Sequence, residues 1–105
     1  MTRAAVFGSG SWGTAFAAIL ADAGAEVTLH ARRREVADAI NADHVNAGYL
    51  PELVLPDTVS ATHDPATAAA GADLVVLAIP SQTLRTNLGD WAQHLPAGVP
   101  VVSLM

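Results

Sequence analysis

The stretch Val6-Phe7-Gly8-Ser9-Gly10-Ser11-Trp12-Gly13-Thr14-Ala15 decides how this chain folds, because it sets three glycines between an apolar run and a helical pattern. Glycine turns a chain sharply at no steric cost, since it has no Cβ and enters left-handed backbone conformations freely. Gly8 permits a tight turn out of a strand, Gly10 lets the backbone approach an anion, and Gly13 lets the next helix lie close on a sheet. A helix starting there presents unpaired amides and the positive end of its dipole, so no lysine is needed to hold a phosphate. A glycine-rich hexapeptide alone is a weak signal. Following a strand and opening a helix, this one reads as the pyrophosphate turn of a dinucleotide-binding unit.

Outward from the turn, the apolar runs at residues 4–7, 27–29 and 74–79 are too short for helices and contain β-branched residues, which predicts strands. Their apolar residues are consecutive, so both faces must be covered, as in a parallel sheet between helices. Residues 99–104 predict a further strand, entered through Pro96-Ala97-Gly98. Between the first two strands, residues 12–23 carry Phe16, Ile19, Leu20 and Ala23 at helical spacing, and Gly24 supplies a left-handed stop. A second helix is expected over about residues 34–41, with Val36, Ala37 and Ile40 on its buried side, and residues 44–56 read as loop. A weaker strand at 59–62 leads to Asp64-Pro65, an N-cap followed by proline at the first helical position, and a short alanine helix that ends at Gly71. After the strand at 74–79, Pro80 forbids continuation, and Ser81 can cap a helix with Leu84, Leu88, Trp91, Ala92 and Leu95 on one face. Strands alternating with helices over short connections predict an α/β fold, a doubly wound parallel sheet of the Rossmann type. Ligands bind such sheets beyond the carboxyl ends of the strands, which points to residues 8–13, 31–34 and 80–82.

The composition narrows the function classes. With 105 residues, 51% of them hydrophobic and 14% charged, the chain is a single globular domain rather than a disordered segment. The net charge is −5, and the basic residues cluster at Arg32, Arg33 and Arg34 instead of spreading over a face, which argues against a nucleic-acid partner. Asp22, Glu26, Asp73 and Arg85 interrupt every apolar run before it reaches the roughly 20 residues of a membrane helix, so no membrane insertion is expected. The N-terminus lacks a signal-peptide layout, and a cytoplasmic protein is expected. Without cysteine there are no disulfides and no thiolate chemistry, and the four histidines lack metal-ligand spacing, so no metal site is expected.

Ser11 and Trp12 fill the variable positions of the turn, where their amides and the serine hydroxyl would meet the pyrophosphate. Trp12 has two readings, packing against the helix or walling the cofactor groove. At the end of the second strand an acidic residue normally accepts hydrogen bonds from the adenosine ribose. Here the strand meets Arg32, Arg33 and Arg34 instead, and cations at a helix N-terminus oppose its dipole by about 0.3–1 kcal/mol each. A 2′-phosphate on Arg32 and Arg33 removes that conflict, which favours NADPH over NADH; a solvated basic turn is the alternative. Arg34 reads as the helix start. The nicotinamide half should pass Pro80-Ser81-Gln82, where Ser81 is mainly a helix cap. His30, at a strand end, either lines the adenine pocket or is structural.

The run from Val6 through Trp12-Gly13-Thr14-Ala15 resembles the opening of bacterial NAD(P)-dependent glycerol-3-phosphate dehydrogenases, and the Trp-Gly-Thr-Ala continuation is more specific than the glycines. Ala31-Arg32-Arg33, Asn46, Tyr49-Leu50-Pro51, Leu55-Pro56 and Ile79-Pro80-Ser81-Gln82 follow in the family's order. The resemblance implies reversible hydride transfer between NAD(P)H and dihydroxyacetone phosphate, giving sn-glycerol 3-phosphate for phospholipid synthesis. It also implies cofactor contacts from Ser11, Trp12, Arg32 and Arg33, with Tyr49 near the cofactor in its loop. Residues 1–105 would then be the N-terminal, NAD(P)-binding part, with a helical substrate domain outside this chain. Family members are about three times this length, and two lysines that work on the substrate would lie past Met105, the first just after the strand at 99–104. This sequence has no lysine at all, so no catalytic residue is expected within it. The sheet would end at an exposed edge, which invites self-association such as a homodimer. Two other readings stay open from the residues themselves: a non-enzymatic dinucleotide-binding or sensor module, and another Rossmann dehydrogenase with the same opening.

Overall fold

The structure, a computed structural model, describes residues 2–48, 50–78 and 98–103. Five strands, β1 (Arg3–Phe7), β2 (Glu26–His30), β3 (Val59–Thr62), β4 (Leu74–Leu77) and β5 (Val101–Ser103), alternate with helices α1 (Ser11–Asp22), α2 (Arg34–Asp43) and α3 (Pro65–Ala69). The strands form one parallel sheet in the order β3-β2-β1-β4-β5. That is the doubly wound α/β arrangement expected, with the order reversing at β1. The helix expected after Pro80 lies outside the described residues, as does Tyr49.

Period-two alternation along each strand divides the core. Ala4 and Val6 of β1 face one side with Val27, Leu29, Val76, α1 and α2, whereas Ala5 and Phe7 face the other with Val75, Leu77 and the alanines of α3. Both faces are therefore apolar, which is why the strands read as unbroken hydrophobic runs. Asp64 caps α3 by accepting from the Ala66 amide at 3.2 Å, and Pro65 occupies the first helical position, as expected. Gly24 and Gly71 take positive φ at the ends of α1 and α3.

Helix α1 differs from expectation in which side it buries. Gly13, Thr14, Ala17 and Ala18 face the core, Phe16 and Leu20 lie at its flanks, and Ile19 is 61% exposed. A helix seated this close to a sheet admits only small side chains at the contact, so the larger ones are displaced sideways.

At the edge strand β3, Asn41 of α2 accepts from the Ala61 amide and donates to the Ala61 carbonyl, both at 2.8 Å. At the carboxyl end of β2, His30 is buried, with Nε2 3.2 Å from the His63 carbonyl oxygen and its ring 5.2 Å from that of Phe7. The imidazole is built into the fold. Burial lowers its pKa below 6.5, against the opposing pull of the His63 carbonyl. Below pH 6.5 the unfolded chain then binds a proton that the folded chain resists, so stability falls as pH drops from 6.5 toward the lowered folded value. Thermal melts should show that loss on acidification, and His30→Gln should flatten it.

Candidate functional site

Parallel register brings three connections to one edge of the sheet. Phe7 is level with His30 on one side and Leu77 on the other, so the segments leaving β1, β2 and β4 emerge together. The first is the glycine turn. Gly8 leaves β1 at φ +115°, a conformation that L side chains rarely adopt, and its amide points to the His30 carbonyl at 3.4 Å. Gly13 is buried in the first turn of α1, where an added Cβ would run into the Gly8 carbonyl and press on Ala78 of the β4 connection. Gly8 and Gly13 are thus explained by the chain's own packing.

Gly10 is not. Its backbone, at φ −72° and ψ −171°, suits any residue, and a Cβ there would meet nothing within 4 Å. No side chain caps α1, although serine, threonine, aspartate or asparagine is favoured at that position. The first intrahelical bond runs from the Thr14 amide to the Gly10 carbonyl at 3.0 Å, leaving the amides of Ser11, Trp12 and Gly13 for a partner outside the helix. The first turn of α1 contains no acidic residue. Bare backbone, free amides and a positive dipole end fit a pyrophosphate group. Ser11 is exposed beside them, and Trp12 is 79% exposed rather than packed on the helix.

At the second connection Ala31 is buried and Arg32 and Arg33 are exposed. Arg33 stands at the N-cap of α2 without capping it by side chain, and α2 begins at Arg34, which pairs with Asp38 at 3.8 Å. Among the described residues, Arg32 and Arg33 have no such ion pair. They are available to an anion approaching the ends of β1 and β2. Pro80, Ser81 and Gln82 of the third connection, and Tyr49, lie outside the described residues.

Asn46 stands among the residues that carry the resemblance, but its contacts are not legible in the sequence. Asn46, buried in the loop after α2, donates from Nδ2 to the Ser9 carbonyl and to Thr14 Oγ1 at 2.9 Å, and Thr14 Oγ1 donates to the same Ser9 carbonyl at 3.3 Å. Thr14 and Asn46 are 32 positions apart, and no local pattern announces their contact. Among the described residues no group of three or more His, Cys, Asp or Glu could hold a metal ion, and no helix is long and apolar enough to cross a membrane.

The family described as NAD-dependent glycerol-3-phosphate dehydrogenase N-terminus matches residues 3–105. The chain belongs to this family. A glycerol-3-phosphate dehydrogenase [NAD(P)+] of Streptomyces griseus is 64% identical over 103 residues, 98% of this chain and 31% of the relative. The solved glycerol-3-phosphate dehydrogenase of Saccharomyces cerevisiae superposes with a TM-score of 0.91 at 27% identity, over 99% of this chain and 33% of that one. The enzyme from Coxiella burnetii gives 0.89 at 28% identity, over 97% of this chain and 31% of that one. The chain spans about a third of the length of these relatives.

The glycines separate by experiment. Gly13→Ala should cost more than about 2 kcal/mol, since its Cβ collides with backbone that cannot give way. Gly10→Asp should be neutral or stabilising by about 0.5 kcal/mol, because it meets open space and supplies a cap and a charge that suits the dipole. Denaturant melts of the two variants check both signs.

Proposed function

We propose that this chain is the N-terminal, NAD(P)-binding part of an sn-glycerol-3-phosphate dehydrogenase, which transfers hydride reversibly between NAD(P)H and dihydroxyacetone phosphate for phospholipid synthesis in the cytoplasm. The observation that carries the reading is Gly10, whose missing side chain nothing among the described residues requires. A pyrophosphate seated against it explains the glycine, the absence of a capping side chain and the free amides of Ser11, Trp12 and Gly13 together. When bound, the dinucleotide supplies or accepts the hydride.

This chain's residues bind and orient. Gly8, Gly10 and Gly13 shape the cradle, the amides and the Ser11 hydroxyl hold the phosphates, and exposed Trp12 walls the groove beside them. Arg32 and Arg33 take the 2′-phosphate of NADP(H), with the adenosine directed to the end of β2. Tyr49 and Pro80 complete the cofactor contacts in the remaining connections. With no lysine present, the proton for the carbonyl oxygen and the cation for the substrate phosphate come from two lysines outside residues 1–105, one just after the strand at 99–104 and one in the helical substrate domain.

In the full-length enzyme, Gly10→Asp should weaken dinucleotide binding by more than about a hundredfold while the fold stays intact, since a carboxylate both fills and repels the anion site. Unchanged binding in calorimetry would end the reading. Arg32→Ala and Arg33→Ala should each raise the Kd for NADPH by about tenfold or more and leave NADH within about threefold. Equal losses for the two cofactors would remove the 2′-phosphate assignment and leave the enzyme assignment standing.

A further inference from the structure

We propose that Asn46 is a positioning residue for the cofactor's pyrophosphate, acting through the Ser9–Gly10 peptide rather than by touching the ligand. The proposal rests on the dinucleotide reading of the glycine turn given above. Asn46 is 97% buried in a loop whose chain neighbours Ala47 and Gly48 are exposed, so its burial is not a property of the loop as a whole. Its orientation is unambiguous: the Ser9 carbonyl can only accept, so the nitrogen end of the amide must face it.

The donor count then closes. Both hydrogens of Asn46 Nδ2 are used, one on the Ser9 carbonyl and one on Thr14 Oγ1, and the Thr14 hydroxyl turns its own hydrogen to the Ser9 carbonyl. Thr14 is fully buried, so water does not replace either partner. Two donors converging on one carbonyl oxygen fix the direction of the Ser9–Gly10 peptide plane. In a trans peptide the C=O and the following N–H point in opposite directions. Holding the Ser9 oxygen inward, against Asn46 and Thr14, therefore directs the Gly10 N–H outward, away from them and toward the side where Gly10 is bare. The same bonds keep a carbonyl dipole from turning its negative end to the phosphates. Asn46 thus sets the sign of the electrostatic field at the amino end of α1.

The same contact ties two connections together. Asn46 also pairs with Leu50, whose amide donates to the Asn46 carbonyl at 2.9 Å, and this short turn brackets the loop between α2 and β3. The amide therefore joins that loop to the glycine turn at a buried point.

The test uses the full-length enzyme, with ADP-ribose as the fragment that carries the pyrophosphate and adenosine as the fragment that carries none, both measured by competition with the dinucleotide. Asn46→Leu, close in size but without donors, and Thr14→Val, which removes only the hydroxyl, should each weaken ADP-ribose by about tenfold and adenosine by less than about twofold. The KM for the dinucleotide should rise by a similar factor while kcat stays within about twofold of the parent, and Thr14→Ser should recover most of the loss. Equal weakening of the two fragments would show a general structural role and overturn the proposal, as would ADP-ribose affinity that holds in both variants. A parent enzyme that binds no ADP-ribose would overturn the dinucleotide reading itself, and the proposal with it.

Discussion

The contact between Gly13 and the Gly8 carbonyl is the constraint on which the rest of the structure depends. It lets α1 begin directly over the end of β1, with no room for even a methyl group between helix and turn. From that seat follow the small residues along the buried side of α1 and the placement of its free amides at the carboxyl edge of the sheet. The turn into that seat requires the positive φ of Gly8, so two of the three glycines serve packing, while a Cβ on Gly10 would meet nothing among the described residues.

The sheet itself supplies alignment. Because β2, β1 and β4 run parallel and in register, residues far apart in sequence leave the sheet at one level. The exposed arginines after β2 and the glycine turn after β1 thus follow strand ends that lie level in the sheet. The buried amide of Asn46 adds a third segment to this edge and holds the turn in one of the two orientations a peptide plane could take there.

Much of this was legible in the sequence, for identifiable reasons. Strands buried on both faces write unbroken apolar runs, and β1, β2 and β4 differ from expectation only at their ends. The cap at Asp64 and the stop at Gly24 are local signals with local causes. Helix α1 was harder, since its contact face is made of glycine, threonine and alanine, which carry little hydrophobic signal, while Ile19 carries a strong one and points outward. The positions of the glycines and arginines beyond the ends of β1 and β2 could be read from their places after predicted strands. Asn46 stands among the residues of the resemblance, but its contact could not be read, because it reaches across 37 residues to a backbone carbonyl that has no side-chain identity.

The amide of Asn41 on Ala61 has a consequence for how the sheet can grow. An edge strand offers free ladder groups to any passing chain, and β3 has both outward groups of Ala61, its amide and its carbonyl, occupied by a side chain from α2. A single asparagine acts here as a counterfeit strand, one residue long. A chain approaching this margin would find the ladder groups of Ala61 already taken, so augmentation is opposed at the centre of β3.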